Sequence, residues 1–469
     1  MQFLGIDFQK LLLTVDGRIG RQTFWIGFAA LFVAGMINGL IIGSISLILA
    51  TLVSLALAVP AYCVSIKRSN DRGHPQVYVQ GFFIASIAFQ VLTLIGVFGF
   101  LGYDMVRHME RLPAAKVDPI GVPDALMIRP TILLVFDAVK DEIVIVTPVF
   151  PKASQSPRAA YEAANDRLNT AIDALEAPLR HPGGPDDLAA RLPEAQSNTT
   201  PAEYEAMVAR AKEYILAGDI FQVVLSQRFS CPFDLDAFSL YRALRRVNPS
   251  PYLCYLDFAG FQIVCSSPEI LVKVANEEKG ARKVTIRPIA GTRKRGATPA
   301  EDKALEEELL DDFKERAEHL MLLDLGRNDV GRVAEIGSVK VTDSFFVERY
   351  SQVMHIVSNV EGLLDPQYDV IDALAAGFPA GTVSGAPKIR AMELIAEIEP
   401  TPRAAYCGSI GYLGFDGSAD LNILIRTVTD TGGWWTFPVG GGIVVQSDPR
   451  KELDETWQKA RGMLQAVLA

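Results

Sequence analysis

The C-terminal half of the chain contains two pairs of glutamates, Glu315 with Glu318 and Glu452 with Glu455. Within each pair the two residues are three positions apart. If each segment is helical, this spacing places both members of a pair on the same helix face. Acidic groups that converge from two helices repel one another unless a cation or a polar substrate compensates their charge. Their hard oxygen atoms suit a magnesium ion that also holds an anionic substrate, although helices rich in Glu and Lys often simply face solvent.

The composition narrows the class of protein. The chain of 469 residues has a net charge of -10 and no basic clusters, which argues against a nucleic-acid partner. Its length allows two or three domains, or one large domain. The cysteines are scattered without a CxxC pattern, which favours reduced thiols in a cytosolic setting. They are Cys63, Cys231, Cys254, Cys265 and Cys407.

The N-terminal region is apolar. No charged side chain occurs from Phe24 to Ile66, and a second apolar stretch covers residues 79–98. These runs predict a membrane-spanning helical segment over residues 1–97, attached to the membrane through residues 24–98; a buried core hairpin is the alternative. Basic residues on both sides of the first run place those flanks on the cytoplasmic side. The motifs GRIGRQTFWIGF and SIKRSNDRGHP resemble a family of small bacterial integral-membrane proteins of unknown function.

The remaining chain has the pattern of an α+β protein. A region over residues 98–200 is expected to precede a catalytic domain over residues 201–469. Apolar alternation predicts a hairpin over 131–150, and Thr200 with Glu203 forms the capping box of a helix over 200–219. Further helices are predicted at 157–177, 301–325, 384–397 and 449–466, and strands at 404–415, 420–429 and 434–446, with a polar connector at 178–202.

Ordered motifs then carry a second resemblance. They are SSPEILVKV (266–274), IRPIAGTRKRG (286–296), ERAEHLMLLDLGRNDVGRV (315–333), VMHIVSNVEG (353–362), FPAGTVSGAPKIRAMELI (378–395), AAYCGSIGYLGFDG (404–417), ILIRT (423–427) and PVGGGIVVQSDPRKELDETWQKA (438–460). Together they resemble the chorismate-utilising enzymes, and most closely the large subunits of anthranilate synthase, over about residues 99–469. The resemblance implies an αββα sandwich of two antiparallel sheets with chorismate bound between them, preceded here by the all-α transmembrane segment.

The resemblance also implies a ligand set. Glu318 and Glu455 would bind Mg²⁺, and Glu315 and Glu452 would assist from a second layer or through bridging water, because magnesium uses few protein carboxylates. Arg426 offers a guanidinium fork for the enolpyruvyl carboxylate of chorismate, although a strand-end arginine is often an ordinary surface residue. The other expected substrate-binding residues are Gly291, Thr292, Tyr406, Gly440, Gly441 and Gly442, the three glycines through their backbone amides.

The reaction type depends on a few positions. Glu269 matches the general acid of the family, while His355 and Thr382 match other catalytic positions. Gln222 stands where relatives that add water have a lysine base, which favours ammonia as the nucleophile. Ala290 replaces the lysine that attacks the ring in aminodeoxychorismate synthases. The implied reaction converts chorismate and ammonia to anthranilate and pyruvate, the first step of tryptophan biosynthesis. A separate glutamine amidotransferase subunit, component II, would supply the ammonia.

The N-terminal region departs from the family. Relatives begin with a further soluble region that carries part of a tryptophan feedback site, whose other half corresponds to Pro251, Tyr252 and Leu253. Here membrane-like sequence stands in its place. The catalytic domain is expected in the cytoplasm with the N-terminal segment embedded in the membrane. The alternatives are an inactive or artefactual fusion that carries an incomplete synthase domain, and an aminodeoxychorismate synthase component I.

Overall fold

A computed structural model describes most of the chain beyond residue 95. The described residues are 2–3, 6–7, 96–137, 141–149, 154–178, 194–233, 236–277, 280–350 and 353–465. The predicted membrane segment lies almost entirely outside them, so it stays a prediction. In these described ranges no helix combines the length and the apolar character that a bilayer crossing requires.

The described helices number nine. They are α1 (Pro157–Glu176), α2 (Pro201–Leu216), α3 (Ala237–Val247), α4 (Pro299–Asp311), α5 (Phe313–Gly331), α6 (Val370–Gly377), α7 (Gly381–Ser384), α8 (Lys388–Ile398) and α9 (Pro449–Gln465), and a 3₁₀ helix covers Tyr103–His108.

The described residues also form twenty strands. They are β1 (Gln2–Phe3), β2 (Ile6–Asp7), β3 (Val97–Leu101), β4 (Ala125–Ile128), β5 (Leu133–Asp137), β6 (Glu142–Val146), β7 (Gln196–Ser197), β8 (Gln222–Pro232), β9 (Tyr252–Asp257), β10 (Gln262–Ser267), β11 (Ile270–Asn276), β12 (Arg282–Ile286), β13 (Ile289–Lys294), β14 (Lys340–Arg349), β15 (Val353–Leu363), β16 (Gly385–Ala386), β17 (Ser409–Leu413), β18 (Ala419–Ile423), β19 (Thr427–Asp430) and β20 (Trp434–Ile443).

The chain divides into two compact units, residues 1–94 with 132–171, and residues 95–131 with 172–469. In the first unit, β5 and β6 form the predicted hairpin, with Leu133 opposite Val146. The guanidinium of Arg167 on α1 donates to the Thr147 hydroxyl at 2.9 Å, which ties the helix to the end of this hairpin.

Two antiparallel sheets form the second unit, as predicted. The strand order is β16-β8-β20-β19-β10-β9 in one sheet, with β7 also on β8, and β13-β15-β12-β11-β18-β17-β3-β4 in the other, with β14 on β15. Buried side chains from both sheets share one apolar cluster, in which Phe100 and Ile410 of the second sheet meet Ile263 of the first. Burial of such side chains is the main favourable contribution to folding.

Two helix starts show how local sequence sets the boundaries. The capping box predicted for α2 is confirmed, because the Thr200 side chain accepts from the Glu203 amide while the Glu203 side chain accepts from the Thr200 amide. The prediction of one helix over 301–325 is wrong, because α4 ends at Asp311 and α5 begins at Phe313. Asp312 takes an extended conformation between them, and its carboxylate caps α5 by accepting from the amides of Lys314 and Glu315.

The second unit contains a buried ion pair. Arg403 and Glu399 are 3% and 4% exposed. The guanidinium contacts both carboxylate oxygens, at 2.9 and 2.6 Å. It also donates to the carbonyl oxygens of Val383 at 2.7 Å and Val224 at 2.6 Å. Because every charge is paired and hydrogen-bonded, this pair can be buried without leaving an uncompensated ion.

We expect Glu399→Gln to lower the free energy of unfolding by about 3–5 kcal/mol, since Arg403 would stay buried without a counter-charge. Urea unfolding followed by circular dichroism measures this loss. Arg390→Gln, which breaks the half-exposed pair with Asp219, is the matched control and should change stability little. Equal small losses in the two variants would contradict the expectation.

Candidate active site

The three glycines predicted to form a carboxylate cradle lie inside strand β20. They face β8 in register, with Gly440 opposite Ser226 and Gly442 opposite Val224. Added side chains would collide with their surroundings, because a Cβ at Gly440 would lie 2.9 Å from the Tyr406 hydroxyl. A bare backbone therefore lets neighbouring side chains approach the strand.

Both carboxylate pairs approach this strand. A Cβ at Gly442 would lie 3.6 Å from Glu318 Oε1, and a Cβ at Gly441 would lie 3.4 Å from Glu452 Oε2 and 4.0 Å from Glu455 Oε1. Successive residues of a strand face opposite sides, so the two pairs reach β20 from different faces. They can therefore meet only beside the edge of the strand.

That edge is partly open. Strand β19 pairs with β20 only through Trp435 and Thr436, whereas β8 runs along the whole of β20. Over the described residues, the stretch from Phe437 to Ile443 thus has β8 as its one strand neighbour. The other edge of this stretch has no strand partner, although the Gly440 carbonyl oxygen accepts from Lys459 Nζ at 3.0 Å.

The carboxylates influence one another. Burial raises the pKa of Glu318, an effect that the neighbouring charges of Glu315 and Glu455 strengthen and that the Gln222 amide opposes. Gln222 Nε2 donates to Glu318 Oε1 at 2.8 Å. Burial likewise raises the pKa of Glu452, and Glu455 adds to it. The site therefore carries more negative charge than its surroundings compensate.

Lys459 is a site residue that the sequence analysis missed. Its Nζ atom lies 2.7 Å from Glu455 Oε1 and donates to the Gly440 carbonyl oxygen at 3.0 Å. It follows Glu455 by four residues on α9, so helical spacing alone would have placed it beside that carboxylate. Arg293 likewise contacts Glu315 at 3.4 Å, so these two cations compensate part of the negative charge of the cluster.

The described residues do not contain a ready-made group of three metal ligands. In the part of the chain that the structure describes, no three His, Cys, Asp or Glu side chains converge closely enough to hold a metal ion together. The donor chemistry nevertheless fits a hard cation, because oxygen ligands with surplus negative charge meet beside one strand edge. Two direct protein ligands with water in the other positions would satisfy magnesium.

A second group of predicted residues lies on β13 and β15. His355 Nδ1 is 3.0 Å from the Thr292 hydroxyl and 3.2 Å from the Gly291 carbonyl oxygen. A carbonyl only accepts, so this contact favours the tautomer with hydrogen on Nδ1 and a free lone pair on Nε2. Burial lowers the pKa of His355 to about 4, which keeps the imidazole neutral. A Cβ at Gly291 would lie 3.3 Å from Glu315, which connects this group to the carboxylates.

Glu269 lies between β10 and β11 and is 6% exposed. Burial raises the pKa of its carboxyl to about 8, although the Thr382 hydroxyl, a backbone amide at Ile289 and the charge of Arg426 all act in the opposite direction. The group is therefore protonated at neutral pH and can donate a proton. Two other predicted site residues, Thr382 and Arg426, lie close to it.

Arg426 is not in a strand, contrary to the prediction for ILIRT. It lies between β18 and β19 with φ 51°, a conformation that few residues other than glycine adopt. Burial lowers the pKa of its guanidinium. Its backbone carbonyl accepts from the Ser266 amide at 3.1 Å. Among the described residues its guanidinium forms no hydrogen bond or ion pair, so the side-chain donors are available to an anionic ligand.

Known proteins match this chain over the same region. The profile of the chorismate binding enzyme family matches residues 64–465. A second profile, of a protein family of unknown function (DUF805), matches residues 12–109, in agreement with the resemblance of the N-terminal region to a second family.

Individual relatives are similar over most of their length. Anthranilate synthase component 1 of Cereibacter sphaeroides is 52% identical over 374 residues, which cover 79% of this chain and 73% of that protein. The component 1 of Thermus thermophilus is 49% identical over 372 residues, 79% of this chain and 77% of that protein. The crystal structure of anthranilate synthase component I from Streptococcus pneumoniae matches with a TM-score of 0.71 and 42% identity, covering 79% of this chain and 81% of that chain. The chain therefore belongs to the chorismate binding enzyme family.

Proposed function

We propose that the protein is an anthranilate synthase component I, which converts chorismate and ammonia to anthranilate and pyruvate. The observation that carries the proposal is the buried, protonated carboxyl of Glu269 in a site that also holds a free guanidinium and surplus carboxylates. Such a site suits a substrate with two carboxylates and a hydroxyl that must leave. The names of the relatives from Cereibacter sphaeroides and Thermus thermophilus support the same reaction.

Chorismate would be bound at two ends. Arg426, whose guanidinium has no hydrogen-bond partner in the described residues, binds the enolpyruvyl carboxylate through its guanidinium fork. The ring carboxylate lies beside Gly440–Gly442, where the unpaired edge of β20 presents backbone amides. The Tyr406 hydroxyl, which approaches Gly440, and the Thr292 hydroxyl, which contacts His355, supply further donors.

Magnesium fits the carboxylate cluster. Glu318 and Glu455 would hold it directly, and Glu315 and Glu452 would act through bridging water, because magnesium uses few protein carboxylates. When bound, the ion supplies positive charge at the ring carboxylate and withdraws electron density from the ring.

Amination at C2 is the first chemical step. Ammonia forms a bond to C2 of chorismate, both ring double bonds shift (C1=C2 to C1=C6 and C5=C6 to C4=C5), and the C4–O bond breaks. The new ammonium group then gives its extra proton to water. Glu269 donates its proton to the departing hydroxyl, which leaves as water, and becomes a carboxylate. Gln222 has an amide that cannot take up a proton, so it cannot activate water as a lysine could. Ammonia needs no such activation.

Elimination of pyruvate completes the reaction. The aminated intermediate loses its C2 proton while the C3–O bond to the enolpyruvyl group breaks, and the ring becomes aromatic. His355 is placed to accept this proton, because Nδ1 is engaged by Gly291 and Thr292 while Nε2 keeps its lone pair. Ala290 has no amine with which to attack the ring, which favours the 2-amino product over the 4-amino product.

Ammonia would come from a partner subunit. Burial raises the pKa of Cys231 and of Cys265 to about 11, and that of Cys407 to about 12. A thiol must ionise to act as a nucleophile, so these cysteines are poor candidates for hydrolysing glutamine. A separate glutamine amidotransferase, component II, therefore completes the proposed enzyme.

The direct test is anthranilate fluorescence after mixing the protein with chorismate, magnesium and an ammonium salt. We expect turnover without any glutaminase, and none from Glu269→Gln, because the leaving hydroxyl would lack its proton donor. Circular dichroism establishes that both proteins are folded. A folded wild-type protein that releases no anthranilate would overturn the proposed function.

The raised pKa of Glu269 predicts the pH profile. The acid is active when protonated, so turnover should fall as the pH rises through about 8. Rates must be compared at a fixed concentration of unprotonated ammonia, since that concentration also changes with pH. A profile that stays flat well above this pH would exclude Glu269 as the acid.

Removing one proposed metal ligand should weaken magnesium binding. Glu318→Gln should raise the magnesium concentration for half-maximal turnover by roughly tenfold or more. Calorimetry with magnesium alone provides a second measurement that does not depend on turnover. Glu307→Gln, on the exposed surface of α4, is the matched control and should leave the requirement unchanged. Equal requirements in the two variants would remove Glu318 from the metal site.

A further inference from the structure

A second buried ion pair lies behind Glu269. Lys388 Nζ contacts Asp329 Oδ2 at 2.7 Å, with side chains only 9% and 4% exposed. Lys388 begins α8 and Asp329 lies near the end of α5, and the same ammonium donates to the Gly377 carbonyl oxygen of α6 at 3.4 Å. The pair thus connects α5, α6 and α8 around α7, the short helix that carries Thr382.

Asp329, the acidic member of this pair, lines a small cavity together with the proposed acid Glu269. Glu269, Thr382 and Asp329 line it, together with apolar groups of Pro288 and Leu322. Its volume of about 20 Å³ is enough for one water molecule. Two buried polar atoms of these residues, Asp329 Oδ1 and Thr382 Oγ1, have no hydrogen-bond partner in the described structure. Unpaired buried polar atoms are costly and usually mark an ordered water.

We propose that one buried water donates hydrogen bonds to Asp329 Oδ1 and Thr382 Oγ1, so that the Thr382 hydroxyl turns its own hydrogen towards Glu269. Asp329 is then a positioning residue for the acid. The carboxylate can only accept, so the water must point one hydrogen at it. The second hydrogen occupies the Thr382 oxygen, whose remaining donor faces the Glu269 carboxyl.

The charges around the pair support this direction. Asp329 faces Lys388 and Arg332; burial raises its pKa to about 6 and these cations oppose that shift, so the group is ionised at neutral pH. Burial lowers the pKa of Lys388, which Asp329 opposes. Glu269 faces Arg426, and the nearby Thr382 hydroxyl lowers the pKa of Glu269. The two side chains do not form a hydrogen bond of normal geometry in this structure, and the water would turn the hydroxyl so that it donates to the carboxyl.

The arrangement has a chemical use, which rests on the proposed function. Glu269 becomes a carboxylate in a buried place when it protonates the leaving hydroxyl. A hydroxyl oriented to donate stabilises that carboxylate and so helps the proton to leave. The water and Asp329 supply this orientation in advance, before chorismate binds.

A crystal structure of the wild-type protein without chorismate tests the water directly. We expect density for one water within hydrogen-bonding distance of both Asp329 and Thr382. An empty cavity, or a water that contacts only one of them, would overturn the proposal. This experiment needs neither a variant nor turnover.

An infrared titration tests the effect on Glu269. The carboxylic-acid band that disappears in Glu269→Gln should titrate near pH 8 in the wild-type protein. The double variant Asp329→Leu with Lys388→Met removes both charges and the water's acceptor, and should raise this midpoint by roughly one pH unit through the lost hydrogen bond to the carboxylate. Asp219→Asn with Arg390→Gln neutralises an exposed pair as the control and should not move it.

Thr382→Val decides between positioning and mere support of the fold. If the water acts through the hydroxyl, neutralising Asp329 and Lys388 should shift the midpoint in the wild-type background but not beside Thr382→Val, and Thr382→Ser should restore the shift. Equal shifts in all backgrounds, or none, would contradict the proposal. The titration uses no chorismate, so a failure of the proposed function alone would leave its outcome intact.

Discussion

The fold depends on one requirement: the charge of Arg403 must be satisfied inside the core. Its guanidinium holds Glu399 and the Val383 carbonyl, and Glu399 in turn accepts from the amide and the hydroxyl of Ser226. The guanidinium also stacks over Tyr103 and Tyr406. A single buried ion thereby links β8, the end of α8, the short helix α7 and the ring of Tyr406 beside Gly440. Little freedom is left to any of these elements, because a buried ion without its partners costs several kcal/mol.

The active site follows the opposite rule. Its acids are left partly uncompensated: burial raises the pKa of Glu318 and of Glu452, and neighbouring carboxylates add to the shift. Such a cluster would relax if its helices could move apart, so a rigid frame is needed to hold it. The two regions are related. The fully paired charges of Arg403 and Glu399 make the interior rigid, and this rigidity holds the partly unpaired carboxylates in place where a ligand will bind.

The sequence was sufficient where the signal is local. The capping box at Thr200, the hairpin over 131–150 and the strand over 434–446 follow from neighbours along the chain, and the structure confirms the cap, the hairpin and a strand at Trp434–Ile443. The helix predicted over 301–325 is two helices, α4 and α5. The antiparallel sheets came instead from the ordered motifs. What could not be derived depends on pairing between distant segments, such as the pairing of the glycine strand β20 with β8. The left-handed backbone at Arg426 arises likewise, because β18 and β19 join different sheets on either side of it.

Some misses were avoidable. The break at Asp312 has a recognisable capping residue before Phe313, and Lys459 stands one helical turn after Glu455. The family motifs assign no role to Asp329 or Lys388. The importance of this pair emerges only from burial and from the cavity beside Glu269, which are properties of three dimensions.

The open edge of β20 has a consequence beyond chemistry. Unpaired strand edges invite association with other chains, and proteins commonly protect them with charged side chains. Here Glu318, Glu455 and Lys459 surround such an edge. A strand from another molecule would have to bury these ions in order to pair with the glycines. The residues that make the edge reactive towards a small anion therefore also guard the protein against aggregation.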